Sequence, residues 1–372
     1  MKNNFTIHRS LLKFLLALII IAVIGVCVFV GLQISGKNRL YNKSDSKRPD
    51  LASVAITWEE STEQEEGGEI VSTPILVTEE DSDNWEEGDV RYKGVHYRYN
   101  SEMLTFLFMG IDKDGTVKEA KNGIDGGQSD AMFLLALNPK TKNATLISIN
   151  RDTIADIDVY DKNGNFLKTI KGQLTLQHGY GDGKSISCER SVASVSRMMY
   201  NLPIHGYCAI NYGAIPKIND AVGGVDLVSL EDITSGGKTI FKEGQSIHLK
   251  GNQAVLYLRS RDCDSFESAG RRTERQKQYL AAYADKAVQS IKKDVTVMVS
   301  LYNTISKYMV TDITVDEVSY FSTQIGEYRF GETNIVSLKG ETVMGEKFEE
   351  FYLDEQALYE LILDVFYDTI ED

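Results

Sequence analysis

Arginines recur at Arg259 and Arg261, within Tyr257-Leu258-Arg259-Ser260-Arg261, and again past them at Arg272 and Arg275, within Arg272-Thr273-Glu274-Arg275-Gln276. The chain that carries them has a formal net charge of −14, so gathering them calls for an anionic ligand. A guanidinium group offers a planar fork of donors to phosphate oxygens and stays charged at any physiological pH. On a helix, Arg272 and Gln276 lie four apart on one face, with Arg275 three residues from Arg272. Asp112 and Asp130 supply the complementary chemistry. Mg²⁺, or Mn²⁺ in its place, is held by one or two carboxylates and completes its shell with water and substrate phosphates. Together the two sets describe a diphosphate held between a metal and an arginine clamp. Each segment also has an ordinary reading, in which Arg259 and Arg261 end a solvated helix and Arg272 and Arg275 pair on a charged surface with Glu274 or Asp285.

The elements that must position these groups are legible as apolar runs. Leu104–Ile111 is continuous and of strand length, as expected for a strand covered on both faces. Ala131–Leu137 and Ala144–Ile149 are two more, separated by Asn138-Pro139-Lys140-Thr141-Lys142-Asn143. If these two form a hairpin, Asp130 lies opposite Arg151 on the same face, with Cβ atoms roughly 5 Å apart. Asp112, just past Leu104–Ile111, reaches the same edge if that strand runs alongside. Helical patterns are predicted over Ser191–Asn201, Tyr212–Val222, Asn252–Leu258, Arg271–Lys292 and Gln356–Thr369, and Asp161-Lys162-Asn163-Gly164-Asn165 reads as a turn between strands. Strands first and central, with helices between and after, predict a layered α/β domain.

Upstream, Leu11 to Ile34 is apolar except for Lys13 and Gln33. Phe14–Gln33 is long enough to span one hydrocarbon core, and its length and lack of an Ala-x-Ala site favour an uncleaved anchor over a signal peptide. Lys37, Arg39, Lys43, Lys47 and Arg48 outnumber Lys2, Arg9 and Lys13, so charge bias alone would put the main domain in the cytoplasm. Glu59 to Asp89 holds 13 acidic residues and no Lys or Arg, which reads as a self-repelling, disordered linker. The expected organisation is a tail over 1–10, a transmembrane helix over 11–34, an acidic tether over 35–89 and a domain over 90–372. Cys27 falls in the apolar run, which leaves Cys188, Cys208 and Cys263. Those three cannot all pair, so no disulfide framework follows, and Cys188 and Cys208 are either bonded or buried thiols. The scattered histidines give no zinc spacing. Asp112-Lys113-Asp114-Gly115 fails as a calcium loop because Gly123 occupies the twelfth position.

The segments Phe108-Met109-Gly110-Ile111-Asp112, Gln128-Ser129-Asp130-Ala131-Met132, Ser148-Ile149-Asn150-Arg151-Asp152-Thr153, Ile218-Asn219-Asp220-Ala221-Val222-Gly223-Gly224-Val225, Leu258-Arg259-Ser260-Arg261 and Arg272-Thr273-Glu274-Arg275-Gln276 follow one another in order. In this the chain resembles the LytR-CpsA-Psr family of bacterial cell-wall glycopolymer ligases over Leu104–Ala284. The resemblance implies a three-layer α/β/α domain with a central mixed sheet, outside the membrane on a single N-terminal helix. It also implies transfer of a glycan phosphate, such as a teichoic acid or capsular polysaccharide, from a polyprenyl-pyrophosphate carrier to peptidoglycan with Mg²⁺. By position, Asp112 and Asp130 match the metal carboxylates, and Arg151, Arg259, Arg261, Arg272 and Gln276 match the pyrophosphate-binding set. Arg151, Asp112 and Asp130 then form the catalytic group, with Asp112 the candidate to take the acceptor's proton. Arg275 is expected to support them. Asp152, pointing to the other side if the strand continues, is expected to orient neighbours. The prenyl tail is expected in an apolar tunnel between sheet and helices.

The departures from the family pattern are Gln128 where an arginine is common, Thr175 where a lysine is common near His178, and Ser268-Ala269 where an acidic residue usually stands. They keep two other readings open: a hydrolase using water as acceptor, and a non-enzymatic lipid-binding or regulatory envelope protein. Direct DNA binding is not expected, for want of a basic recognition helix.

Overall fold

The computed structural model of the chain describes residues 30–44, 46–51, 84–260, 268–293, 303–322, 324–330 and 332–371. The expected tail, residues 11–29 of the apolar run, residues 52–83 of the tether, Cys27, Arg261 and Cys263 lie outside the described residues. Among the described residues no helix is long and apolar enough to cross a membrane. The chain divides into two compact units, Met1–Lys43 with Ile313–Tyr328, and Ser44–Asp312 with Arg329–Asp372. In the first unit, helix α1 covers residues 30–43 and so continues well into the stretch assigned to the tether.

The second unit opens with a hairpin of β1 (Val90–Tyr92) and β2 (Val95–Tyr99), followed by β3 (Leu104–Ile111), β4 (Ser129–Asn138) and β5 (Asn143–Ile149). A hairpin of β6 (Ile154–Tyr160) and β7 (Phe166–Gln173) turns at Asp161–Asn165 as the sequence predicts, and α2 (Ser185–Met198) and β8 (Gly206–Asn211) come next. Then follow α3 (Ile215–Ala221), the short strands β9 (Val225–Val228), β10 (Ile233–Ser235), β11 (Lys238–Phe241) and β12 (Ser246–Leu249), and the helices α4 (Asn252–Arg259) and α5 (Ser268–Lys293). After β13 (Met309–Thr311) the chain passes through α6 (Val315–Ser322), which belongs to the first unit. It returns through β14 (Ile335–Ser337), β15 (Gly340–Met344), β16 (Glu349–Leu353), α7 (Glu355–Phe366) and β17 (Tyr367–Ile370).

The centre is a mixed six-stranded sheet in the order β13-β8-β3-β4-β5-β14. β3 runs parallel to β8 and β5 parallel to β14, while β4 is antiparallel to both of its neighbours. The β4–β5 register, Met132↔Ile149 through Asn138↔Asn143, is the one the hairpin reading requires. Because side chains alternate along a strand, each strand gives two faces. One carries Leu107, Met109 and Ile111 of β3, Met132 and Leu134 of β4, Ile147 and Ile149 of β5, and Tyr207 and Ala209 of β8. It joins Cys188 and Val195 of α2 and Leu358, Ile362 and Phe366 of α7 in the larger hydrophobic core. A smaller, separate core gathers β9, β11 and β12 with α4 and α5 around Val225, Phe241, Leu249, Tyr257 and Tyr279.

Two expectations about helices are corrected. The helix predicted over Gln356–Thr369 ends at Phe366, and the β-forming Tyr367-Asp368-Thr369-Ile370 pairs antiparallel with β2. The helix predicted from Ser191 begins at Ser185, where Asp182 Oδ1 accepts from the Ser187 N–H at 3.2 Å. Cys188 and Cys208 are buried free thiols, and burial pushes Cys208 up to about 12.

Candidate functional site

The ends of β3, β5 and β8 and the start of β4 meet at one edge of the central sheet, the place where open α/β sheets bind ligands. Ile111 is paired with Asn211 of β8 on one side and Ser129 of β4 on the other. Strands lie about 4.8 Å apart, so Tyr212, Asp112, Gln128 to Asp130, and Arg151 stand side by side along this edge. The β3–β4 register shifts between Gly110 and Ile111, leaving Asp130 as the extra residue of a β-bulge. Bulges re-aim side chains beside functional sites, and here the bulge turns Asp130 toward Arg151.

Arg151 is the hub. Its Nη1 donates to Asp130 Oδ1, its Nη2 to Gln128 Oε1 at 3.1 Å and its Nε to Asp152 Oδ1 at 3.2 Å. A guanidinium has five N–H donors, so each Nη keeps one for a ligand. Gln128 also joins Arg151 to Asp112, because its N–H donates to Asp112 Oδ1 at 2.8 Å and its carbonyl accepts the Asp112 N–H at 3.0 Å. The strand does not continue past Ile149, so Asp152 does not point to the opposite side as expected. It faces the Arg151 guanidinium from a turn and is itself fixed by Gln173 Nε2 at 3.0 Å.

Sequence reasoning missed three of the residues that shape this edge. Thr175, read only as a lost lysine, is fully buried; its Oγ1 donates to Ser129 O at 3.1 Å and its N–H to Arg151 O at 3.0 Å, so it brackets the bulge and the hub. Gly127 has φ +87, and a Cβ there would sit 3.0 Å from Asp112 Oδ1 and 2.7 Å from Lys113 Cε. Tyr212 carries the Arg259 guanidinium on its ring, 3.8 Å from the centroid, and so brings the end of α4 to the sheet edge. In sequence, Tyr212 is only the first residue of the helix predicted over Tyr212–Val222, and nothing there marks its partner. His178 lies behind the edge with its Nδ1–H donating to Gly127 O at 3.0 Å. Burial lowers its pKa, which keeps the imidazole neutral and suits a structural part.

The α4–α5 arginines divide. Arg259 is exposed at the edge. Arg275 is 1% exposed and does not sit on a ligand-facing surface: it donates to the carbonyls of Tyr257 and Ser260 and pairs with Glu231 at 2.8 Å. Its contacts are with the backbone at the end of α4, on either side of Arg259. Glu274, the expected surface partner, pairs with Lys277 at 2.6 Å instead. Arg272 is 7% exposed, and Gln276 Nε2 makes a long contact of 3.4 Å to Leu258 O.

Asp112 and Asp130 are joined through Gln128 and Arg151. Asp112 is exposed and Asp130 partly so. Among the described residues no group of three or more His, Cys, Asp or Glu converges. Two carboxylates beside donors free to take a phosphate fit Mg²⁺ or Mn²⁺, which need few protein ligands when a diphosphate completes the shell.

A profile of the LytR_cpsA_psr family matches residues 74–362. A polyisoprenyl-teichoic acid–peptidoglycan teichoic acid transferase TagU of Oceanobacillus iheyensis is 30% identical over 289 residues, covering 75% of this chain and 79% of that protein. A protein of the same description from Bacillus anthracis is 30% identical over 218 residues, 59% of this chain and 63% of its own length. Among solved structures, TagV of B. subtilis superposes with a TM-score of 0.53 at 24% identity, covering 70% of this chain and 94% of that one. TagT bound to LIIa-WTA superposes with a TM-score of 0.50 at 22% identity, covering 71% and 89%.

Proposed function

The chain belongs to the LytR_cpsA_psr family, and from that premise we propose that it is a transferase that moves a glycopolymer from a polyprenyl-pyrophosphate carrier to peptidoglycan. The observation that carries this reading is the Arg151 hub, an arginine locked by Asp130, Gln128 and Asp152 with one donor left on each Nη, next to the accessible carboxylate of Asp112. The name of the 30%-identical Oceanobacillus iheyensis relative supports the substrate class, a teichoic acid among such polymers.

The finer reading is phosphotransfer. Asp112 and Asp130 would hold Mg²⁺, or Mn²⁺, which when bound neutralises charge on the diphosphate. Arg151 and Arg259 would grip the phosphate oxygens from either side of Asp112, with Arg261, Arg272 and Gln276 completing the clamp. A peptidoglycan hydroxyl would attack the glycan-side phosphorus, the bond from that phosphorus to the bridging oxygen would break, prenyl phosphate would leave with that oxygen, and the hydroxyl's proton would pass to a base, a part assigned here to Asp112. Positioning and charge neutralisation are what such a step requires of the protein.

The prenyl tail would lie along the second face of the sheet, between it and α5, in the three-layer α/β/α arrangement of the family. That face carries Phe106 and Phe108, then Phe133 and Leu135, with Ile210 beside them, and none of these belongs to either hydrophobic core. Residues 11–34 would anchor the chain with the main domain outside the membrane.

The test is glycan transfer by the full chain in detergent, with a synthetic prenyl-pyrophosphate oligosaccharide, peptidoglycan fragments and Mg²⁺. Covalent glycan-phosphate-peptidoglycan that disappears with Arg151→Ala, with Asp130→Ala and with chelator is the expected result. Free glycan phosphate as sole product would replace the ligase with a hydrolase. Bound lipid without any product would replace it with a carrier or regulatory protein.

A further inference from the structure

In the first unit, apolar side chains that a folded protein normally covers are turned outward. Val315 is 72% exposed and Val318 37% on α6, and Val30, Leu32 and Ile34 are 47%, 37% and 57% exposed on α1. Val315 and Val318 are three apart and share one face of their helix. The carboxylates of α6 point elsewhere. Asp316 accepts from Ser35 Oγ at 2.8 Å and lies 3.8 Å from Arg39 Nε, and Glu317 accepts from the Thr314 N–H at 2.7 Å and pairs with Lys43 at 3.3 Å. The acidic groups of α6 are thus neutralised by α1, and its outward face is left apolar.

The level of α6 along α1 is fixed by close contacts. Gln33 Nε2 donates to Ser319 O at 2.8 Å, and at Gly36 the two backbones come so near that a Cβ would stand 2.1 Å from Asp316 O. α6 therefore lies beside residues 33–36. That is where the apolar run of the sequence stops: Phe14–Gln33, at 1.5 Å per residue, spans about the 30 Å of a hydrocarbon core.

We propose that α6 is an interfacial membrane element, with Val315 and Val318 of α6, and Val30, Leu32 and Ile34 of α1, set in the boundary between acyl chains and headgroups of a lipid bilayer. The inference rests on the reading of Phe14–Gln33 as a membrane anchor. An apolar helix face sinks about 5–10 Å into that boundary. Arg39, 53% exposed at its side chain, stands where lipid phosphates lie. The arrangement turns a single anchor into a two-helix collar and restricts the tilt of the chain as it leaves the bilayer.

The experiment uses the full chain in nanodiscs of phosphatidylcholine and phosphatidylglycerol, with acyl chains brominated or not. Trp58 and Trp85 are changed to Phe, and single tryptophans are introduced by Val315→Trp, Val318→Trp or Ile21→Trp. The inference predicts that bromolipid quenches the probes at 315 and 318 by about half and the probe at 21 more strongly. Quenching at 21 with none at 315 or 318 would overturn the inference and leave the anchor standing. No quenching at any of the three positions would overturn the anchor reading, and the inference with it.

Discussion

At the sheet edge, Arg151 is 18% exposed and holds three side-chain oxygens in a fixed plane with donors to spare; in the helical layer, the Arg275 side chain is 2% exposed and faces two carbonyls and Glu231. Both arginines lie in motifs of the family pattern, and both carry the same charge. What separates them is the environment. Arg151 is partly open to solvent, whereas Arg275 is enclosed among acceptors of its own chain, and burial lowers its pKa against the opposing pull of Glu231. An arginine in a motif can therefore keep donors open to solvent or spend them on the backbone of a neighbouring helix.

Removing each side chain tests the contrast. Arg151→Ala should lower kcat/KM for the lipid donor by about 10³, near 4 kcal/mol of transition-state stabilisation. Its thermal midpoint should move less than that of an Arg275 variant, because Asp130 is partly solvated and Asp152 keeps its bond from Gln173. Arg275→Met should do the opposite. It leaves Glu231 and two carbonyls without their buried partner, a loss on the order of 3 kcal/mol and roughly 5 °C in Tm at about 2.1 cal/mol/K of unfolding entropy per residue, measured by calorimetry. Equal kinetic losses with unchanged Tm in both variants would erase the distinction.

How much of this was legible in the sequence follows the same division. The Arg151–Asp130 pairing came from strand alternation and one hairpin register, which are local and periodic signals, and the structure has that register. That Asp112 reaches the same edge followed from reading Leu104–Ile111 as a strand running alongside, as it does. The seat of Arg275 was not legible, since it depends on Glu231, far away in sequence, and on carbonyls at the end of α4. The role of Thr175 was hidden for a similar reason, as its two partners are backbone groups of β4 and of the turn after β5. Tyr367–Ile370 was misread because its fate is set by pairing with β2, which no helical window contains.

Arg259 is a third case, more exposed than Arg151 yet held by an aromatic ring of a different element. Tyr212→Leu should remove the ring at 3.8 Å and lower kcat/KM by about threefold, the worth of an exposed cation–π contact. Tyr212→Phe should keep the wild-type value. If both variants lose activity equally, the tyrosine hydroxyl and not its ring serves the site.

The smallest effect is the most direct test of what burial does to charge near the hub. His178, buried behind Gly127, has its pKa lowered below 6.5 by desolvation, so in the folded chain the neutral ring is favoured. Above about pH 6.5 the ring is neutral in both states and its contribution is complete. As the pH falls below that value the unfolded chain takes up the proton first, and stability declines until the lower folded pKa is passed. The slope for one such group is at most on the order of 1 kcal/mol per pH unit. His178→Asn keeps a donor for Gly127 O and removes the titration. Urea midpoints of wild type and variant at pH 7.5 and 5.5 should therefore show a larger acid-side loss for the wild type. A variant that loses as much would mean that the imidazole is already protonated or solvated in the folded chain. Arg275, charged at both pH values in both states, should add nothing to that difference, which makes its Met variant the control for the background from carboxylates.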